Sequence, residues 1–352
     1  MQRFPPLAAS NNQGAGSLQG MSITISRTAS RAMLGFGAVA ATLSATGAVY
    51  QSLASSRDRR RLSPCGKLVD VGGLRLHARD EGTGAPAVIL EAGLTSMSSQ
   101  WAWIQPAVAA FTRVISYDRA GLGFSDCCSQ PRDAEGTARR LRALLDCLEV
   151  PGPYVIAAHS LGGLFARVFA CLYPKDIGGL VLVDSVHPDQ RIRWGSASDW
   201  RHSVFFGQLM AAAYLGRIGV LRLYGYRSHM TEGLPEDQAK VLKALACSSG
   251  HLDATREEAG AFNTMCDQVR KAGPLPEIPL AVISSDEWLD GWNDEWHGLQ
   301  RELATLCRDS TFQIVPGSNH VSLITNREHA VVTVEAIRRM VEQLRRTAAR
   351  AA

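Results

Sequence analysis

The sequence predicts an α/β protein, a mostly parallel sheet covered by helices on both faces and interrupted by a helical cap. Three observations carry that expectation. Short β-favouring runs such as Ala87-Val88-Ile89-Leu90 and Leu180-Val181-Leu182-Val183 alternate with helix-periodic segments, as strands buried on both faces do. Glycines and polar residues gather directly after those runs, where ligands sit in such sheets. From His187 to about Gly273 the alternation stops, and the gap is too long for an ordinary connection.

Residues 1–31 read as a disordered segment rich in Pro, Asn, Gln, Gly and Ser. Residues 32–54 carry no charge and are mostly Ala, Gly, Leu, Val and Phe, about the length of a membrane-spanning helix. The expectation is a single N-terminal anchor on the membrane, with a cleaved signal and a secreted or periplasmic product as the alternative. Residues 55–66 form a basic linker containing Arg57, Arg59, Arg60 and Arg61, and the positive-inside rule mildly favours a cytoplasmic body.

The first part of the core is expected over 67–186. Leu68 to His77 alternates about a Gly72-Gly73 turn and reads as a hairpin. Strands follow at Ala87–Leu90, Val114–Tyr117, Tyr154–Ile156 and Leu180–Val183. Ala134–Leu148 is a helix with Leu141, Leu144, Leu145 and Leu148 on one face. The cap is expected over 187–273, with Trp194, Trp200, Phe205, Phe206, Met210, Tyr214, Tyr224 and Tyr226. The second core part, 274–352, supplies strands at Leu280–Ile283 and Phe312–Val315, a helix over Trp292–Leu306, and the closing helix Asn326–Arg346.

The net charge of +4 is concentrated at the start: seven arginines against Asp58 in residues 1–61 leave the remaining body slightly acidic. No basic face is left for nucleic acid. Eight cysteines are scattered without a Cys-x-x-Cys pair or a cluster with histidine, so neither a metal nor a cofactor is expected.

The chemistry lies in Tyr154 to Gly163, Tyr-Val-Ile-Ala-Ala-His-Ser-Leu-Gly-Gly. A strand, a sharp turn and a helix place Ser160 at the apex. Small Ala158 and Gly162 on either side let the two elements approach. A serine hydroxyl needs a base to take its proton, and a histidine base needs an acid to fix its tautomer. His320, in a Gly-Ser-Asn-His turn after the last strand, is the expected base. Asp286, after the penultimate strand, is the expected acid; Asp184 is the alternative, and Asp290 a third option. The developing oxyanion needs preorganised N–H donors, for which Leu161 and Leu94 are the candidates. His159 and Asp118 read as structural.

With these turns in order, the chain resembles the α/β-hydrolase fold superfamily. It is most similar to bacterial membrane-anchored or secreted members, through Leu90-Glu91-Ala92-Gly93, Tyr117-Asp118-Arg119-Ala120-Gly121-Leu122-Gly123, Pro153 to Gly163, and Leu182 to Pro188. The resemblance runs from about Gly66 to the C-terminus. It departs at Ala158, where glycine is usual, and at Ser284-Ser285-Asp286-Glu287, which lacks a glycine. It implies the eight-stranded α/β-hydrolase fold and a serine nucleophile under a cap. The expected activity is cleavage of an ester or related acyl bond of a small or medium apolar substrate. An acyltransferase and a non-catalytic ligand-binding member are the alternatives. A serine apex argues against the epoxide-hydrolase and haloalkane-dehalogenase branches, whose nucleophile is an aspartate.

Overall fold

The structure, a computed structural model, describes residues 27–62, 65–224, 229–288 and 292–351. Eight strands form one sheet: β1 (Lys67–Asp70), β2 (Arg75–Glu81), β3 (Val88–Glu91), β4 (Val114–Tyr117), β5 (Tyr154–His159), β6 (Ile177–Val183), β7 (Leu280–Glu287) and β8 (Ser310–Asn319). Their order is β1-β2-β4-β3-β5-β6-β7-β8. β2 runs antiparallel to both β1 and β4, and β3 through β8 are parallel to one another. The strand order reverses between β3 and β5, the switch point at which open α/β sheets bind ligands.

Side-chain alternation divides the core into two layers. Tyr154, Ile156 and Ala158 of β5 and Leu180 and Leu182 of β6 face helices Ala134–Cys147 and Gly162–Leu172. Val155, Ala157, Val181 and Val183 face the other way, onto Ile104, Val108, Val334, Ile337 and Val341. Both faces being covered explains why these strands carry no polar alternation.

Among the described residues, five α-helices lie between β6 and β7: Gln190–Arg217, Val220–Tyr224, Glu236–Ala246, Ser249–Gly260 and Phe262–Ala272. The last was expected in the cap but is part of the core layer. Its Phe262, Met265, Cys266 and Val269 pack in one cluster with Leu164 and Phe169.

The described residues fall into two units, one ending at Ser44 and the other running from Ala45. Most of the expected disordered segment, 1–26, lies outside the described residues. Helix Arg27–Arg61 covers the expected span, but among the described residues no helix is long and apolar enough to cross a membrane. The reading of 32–54 as a transmembrane helix is corrected on that point. Its later part is committed to the body instead. Buried Gln51 donates to the Cys247 carbonyl at 2.6 Å, and Arg222 donates to the Gln51 amide oxygen at 3.1 Å and pairs with Asp58. A Cβ at Gly47 would stand 2.2 Å from the Ile218 carbonyl oxygen, so only glycine permits this approach. Arg59, expected in a linker, donates to the Gly123 carbonyl at 3.2 Å.

Candidate active site

The turn from β5 into helix Gly162–Leu172 holds Ser160 at φ 55°, a left-handed backbone that a serine adopts only when its surroundings impose it. The surroundings are specific. The Ser160 carbonyl accepts from the Gly163 and Val186 N–H groups at 3.1 and 3.0 Å, and its own N–H donates to the Val183 carbonyl at 3.1 Å. Both elbow glycines have a steric reason. A Cβ at Gly162 would lie 2.6 Å from the Glu91 carbonyl oxygen, and one at Gly163 would lie 2.5 Å from the Ser185 hydroxyl. Ala158, the departure from glycine, is fully buried in the core layer, where its methyl has room.

His320 follows β8 and brings its Nε2 to 2.9 Å from the Ser160 Oγ, while its Nδ1 lies 2.7 Å from the Asp184 Oδ2. Asp184 therefore occupies the position expected of Asp286. Asp184 follows β6, the direct neighbour of the nucleophile strand, and its φ of 47° turns the chain there. Its carboxylate is fully buried and accepts from the Ser285 N–H and hydroxyl, both at 2.9 Å, and from the Trp296 indole at 2.7 Å. Burial alone would raise the Asp184 carboxyl; the His320 hydrogen bond and charge, with those donors, hold it below the usual carboxylate range.

Asp286, the acid expected from the sequence, is not the carboxylate that meets His320. β7 does not turn at Ser285 but runs on through Glu287, and Asp286 accepts from the Gly317 N–H at 2.9 Å. It steadies the loop that carries His320. Asp290 lies outside the described residues. His159 is buried, and its Nε2–H donates to the His320 carbonyl at 2.9 Å. Burial, reinforced by the nearby His320, pushes it down to about 3, so it stays neutral beside the His320 ring.

On the other side of Ser160 stands the loop after β3. A Cβ on Gly93 would lie 2.9 Å from the Ser160 Cβ and 3.2 Å from the His159 Nδ1, so glycine is required for the two loops to meet. Among the described residues, neither the Leu94 nor the Leu161 N–H has an intramolecular acceptor. Trp288 meets the His320 ring edge-on at 4.7 Å between centroids and stacks on Trp296 at 3.8 Å. An aromatic wall thus borders His320. A separate cleft of about 570 Å³, lined by Asp80, Gly82, Arg113 and Pro151, opens at the other ends of the parallel strands, away from Ser160. No group of three or more His, Cys, Asp or Glu placed to hold a metal occurs among the described residues.

Sequence reasoning missed the residues that hold the site: Ser285 and Trp296 around Asp184, and Arg119, which donates to the Ala92 and Gly93 carbonyls. An arginine two residues past a buried strand was the available signal for the last. Trp296 gave none, since at helical spacing it reads as core.

YqjL of Bacillus subtilis is 23% identical over 257 residues, covering 72% of this chain and 84% of that protein. A 2-hydroxy-6-oxononadienedioate/2-hydroxy-6-oxononatrienedioate hydrolase of Paraburkholderia xenovorans is 38% identical, but over 32% of this chain and 40% of its own length. An uncharacterized Schizosaccharomyces pombe protein is matched over 39% of its length, so the chain spans well under half of both. Among solved structures, an enol-lactonase from Burkholderia xenovorans aligns with TM-score 0.56 at 20% identity over 78% of this chain and 100% of that one. A Thermogutta terrifontis esterase aligns at 0.55 and 19%, over 78% and 97%. At these identities the likeness is one of fold. The Alpha/beta hydrolase family model matches residues 84–335, which contain Gly93, Ser160, Asp184 and His320, and the chain belongs to that family.

Proposed function

We propose that the protein is a serine hydrolase that cleaves an ester or related acyl bond through Ser160, His320 and Asp184. The observation that carries this reading is the continuous chain from the Asp184 carboxylate through both His320 nitrogens to the Ser160 hydroxyl. His320 Nε2 takes the Oγ proton as Oγ attacks the substrate carbonyl carbon. The carbonyl oxygen becomes an oxyanion facing the Leu94 and Leu161 N–H groups. Collapse expels the leaving alcohol, which receives the proton from His320. Water, deprotonated by the same nitrogen, then frees the acid and restores Ser160. Asp184 stabilises the imidazolium at each step. The Trp288 wall favours an apolar substrate of small or medium size.

The test is a chain-length series of aryl esters on wild type and Ser160→Ala, with fluorophosphonate labelling followed by mass spectrometry. Labelling at Ser160 with turnover lost in the alanine variant is expected. A wild type that is neither labelled nor active would defeat the reading in favour of a ligand-binding protein. Product analysis with a competing alcohol separates hydrolysis from acyl transfer.

A further inference from the structure

We infer that the cap helix Ser249–Gly260 is a brace for the oxyanion loop, with Glu258 and His251 as positioning residues that set the rate of acyl transfer. The inference rests on the hydrolase reading above and extends it to a part of the molecule that does not touch the nucleophile.

His251, Ala254, Thr255 and Glu258 fall at i, i+3, i+4 and i+7, one face of the helix, and all four are buried. An inward face with this much polarity needs partners, and the partners are the loop after β3. Glu258 takes a bidentate pair from Arg119, 2.7 Å to Nε and 2.8 Å to Nη2. Arg119 in turn donates to the Ala92 carbonyl at 2.6 Å, the Gly93 carbonyl at 2.7 Å and the Glu91 carboxylate at 2.9 Å. All five N–H bonds of the guanidinium are thereby used, and its flat face covers Phe165 with 4.8 Å to the ring centroid. Tyr117 donates to the remaining Glu91 oxygen. Two turns earlier on the helix, His251 Nε2–H donates to the Thr95 carbonyl at 3.1 Å, and its Nδ1 accepts the Gly123 N–H at 3.2 Å.

The helix thus grips the loop on both sides of Leu94. The consequence for chemistry follows from peptide planarity. In a trans peptide the C=O and the following N–H point in opposite directions. With the Gly93 carbonyl fixed on Arg119, the Leu94 N–H is turned away from Arg119. Gly93, whose Cα abuts Ser160, gives the loop no side chain to hold it otherwise. The carbonyl of Thr95, at φ 63°, is held by His251, so the strained residue after the donor is also pinned. A loop released from these contacts can rotate the 93–94 peptide, and the donor is lost from the oxyanion position.

The experiment compares wild type, Glu258→Gln and Arg119→Lys in three measurements: aryl-ester kcat and KM, the rate of Ser160 labelling by a fluorophosphonate, and amide hydrogen exchange over residues 92–96. Thermal unfolding confirms that each variant is folded. Glu258→Gln should lower kcat by roughly 10- to 100-fold, short of the 10²–10³ lost with an oxyanion donor itself, with KM changed less than about threefold. Labelling should slow in parallel, and exchange at 92–96 should quicken. Arg119→Lys, which keeps the charge but not the fork, should show the same signature, and the double variant should be far less than additive. A folded Glu258→Gln with wild-type kcat and wild-type exchange overturns the brace. So does a change confined to KM, the mark of a cap that only admits substrate. If wild type itself neither labels nor turns over, the hydrolase reading falls, while unchanged or quickened exchange still decides whether the helix holds the loop.

Discussion

Among the described residues, two buried aspartate carboxylates pair with a histidine, and one of the pairs faces a serine. Asp184 and His320 approach to 2.7 Å and Asp118 and His77 to 2.9 Å, each through Nδ1. Each aspartate also follows a strand and accepts backbone N–H groups, Ser285 in one case, Ser98 and Phe124 in the other. The difference is at Nε2. That of His320 meets the Ser160 Oγ, and its side chain is 26% exposed, whereas His77 is 2% exposed and its Nε2 has no hydrogen-bond partner among the described residues. A Cβ at Gly66 would stand 2.9 Å from that nitrogen, so backbone closes the space a substrate would need. The same dyad reaches a serine hydroxyl in one place and is closed off in the other. What decides is the third partner and its access, not the pair.

The widest separation between the two dyads should come from the histidines. His320→Ala should lower kcat by on the order of 10⁵–10⁶-fold, while His77→Ala in folded protein should change it by less than about tenfold, as read from aryl-ester turnover. The acids come next. Asp184→Asn should cost about 10⁴-fold in kcat by spoiling the histidine tautomer, and Asp286→Asn less than about tenfold; comparable losses in both would return the acid to Asp286. Stability should reverse the ranking: Asp118→Asn leaves buried donors facing a changed partner and should lose roughly 3 kcal/mol in urea unfolding, with kcat nearly unchanged once folded.

The smallest effect is in pH. His159 and His251 are pushed down to about 3 and about 4, in both cases first by burial, below their ordinary value of 6.5. The unfolded chain protonates first, so stability is lost as pH falls below about 6.5, by on the order of 1–2 kcal/mol per histidine at pH 5. Glu91 works in the opposite direction. Burial raises it to about 7 against the partial relief from Arg119, so its contribution is present at low pH and lost as pH rises toward 7. Two histidines against one glutamate should leave a net loss on acidification. His251→Gln should flatten the pH dependence of the urea midpoint, and Glu91→Gln should steepen it.

Much of the scaffold was legible because buried strands and a strand–turn–helix elbow leave local signals. Leu180–Val183 and Tyr154–Ile156 needed no partner to be recognised. Asp184 was harder. The choice between it and Asp286 depends on whether β7 turns or runs on, and on which strand end lies nearest the histidine loop; both are lateral facts about a sheet. The Ser284-Ser285 pair, read as the entry to the acid turn, instead donates to the Asp184 carboxylate. Helix Phe262–Ala272 shows the same apolar stripe whether it covers a cap or a core. Ser249–Gly260 is the reverse case, since His251 and Glu258 make its inward face look like a solvated one.

The edge of the sheet has a practical bearing on how the molecule can be cut. The family match begins at residue 84, yet β2 pairs along β4 from Ala78 opposite Tyr117 to Glu81 opposite Val114, and β1 covers β2 in turn. A fragment starting at 84 would bare the N–H and C=O groups that Val114–Tyr117 turn toward β2, an unpaired strand edge of the kind that recruits other chains. Such a fragment should aggregate in a way that reflects lost strand pairing rather than a damaged nucleophile, and the two short strands before it serve as the molecule's own guard against fibril-like addition.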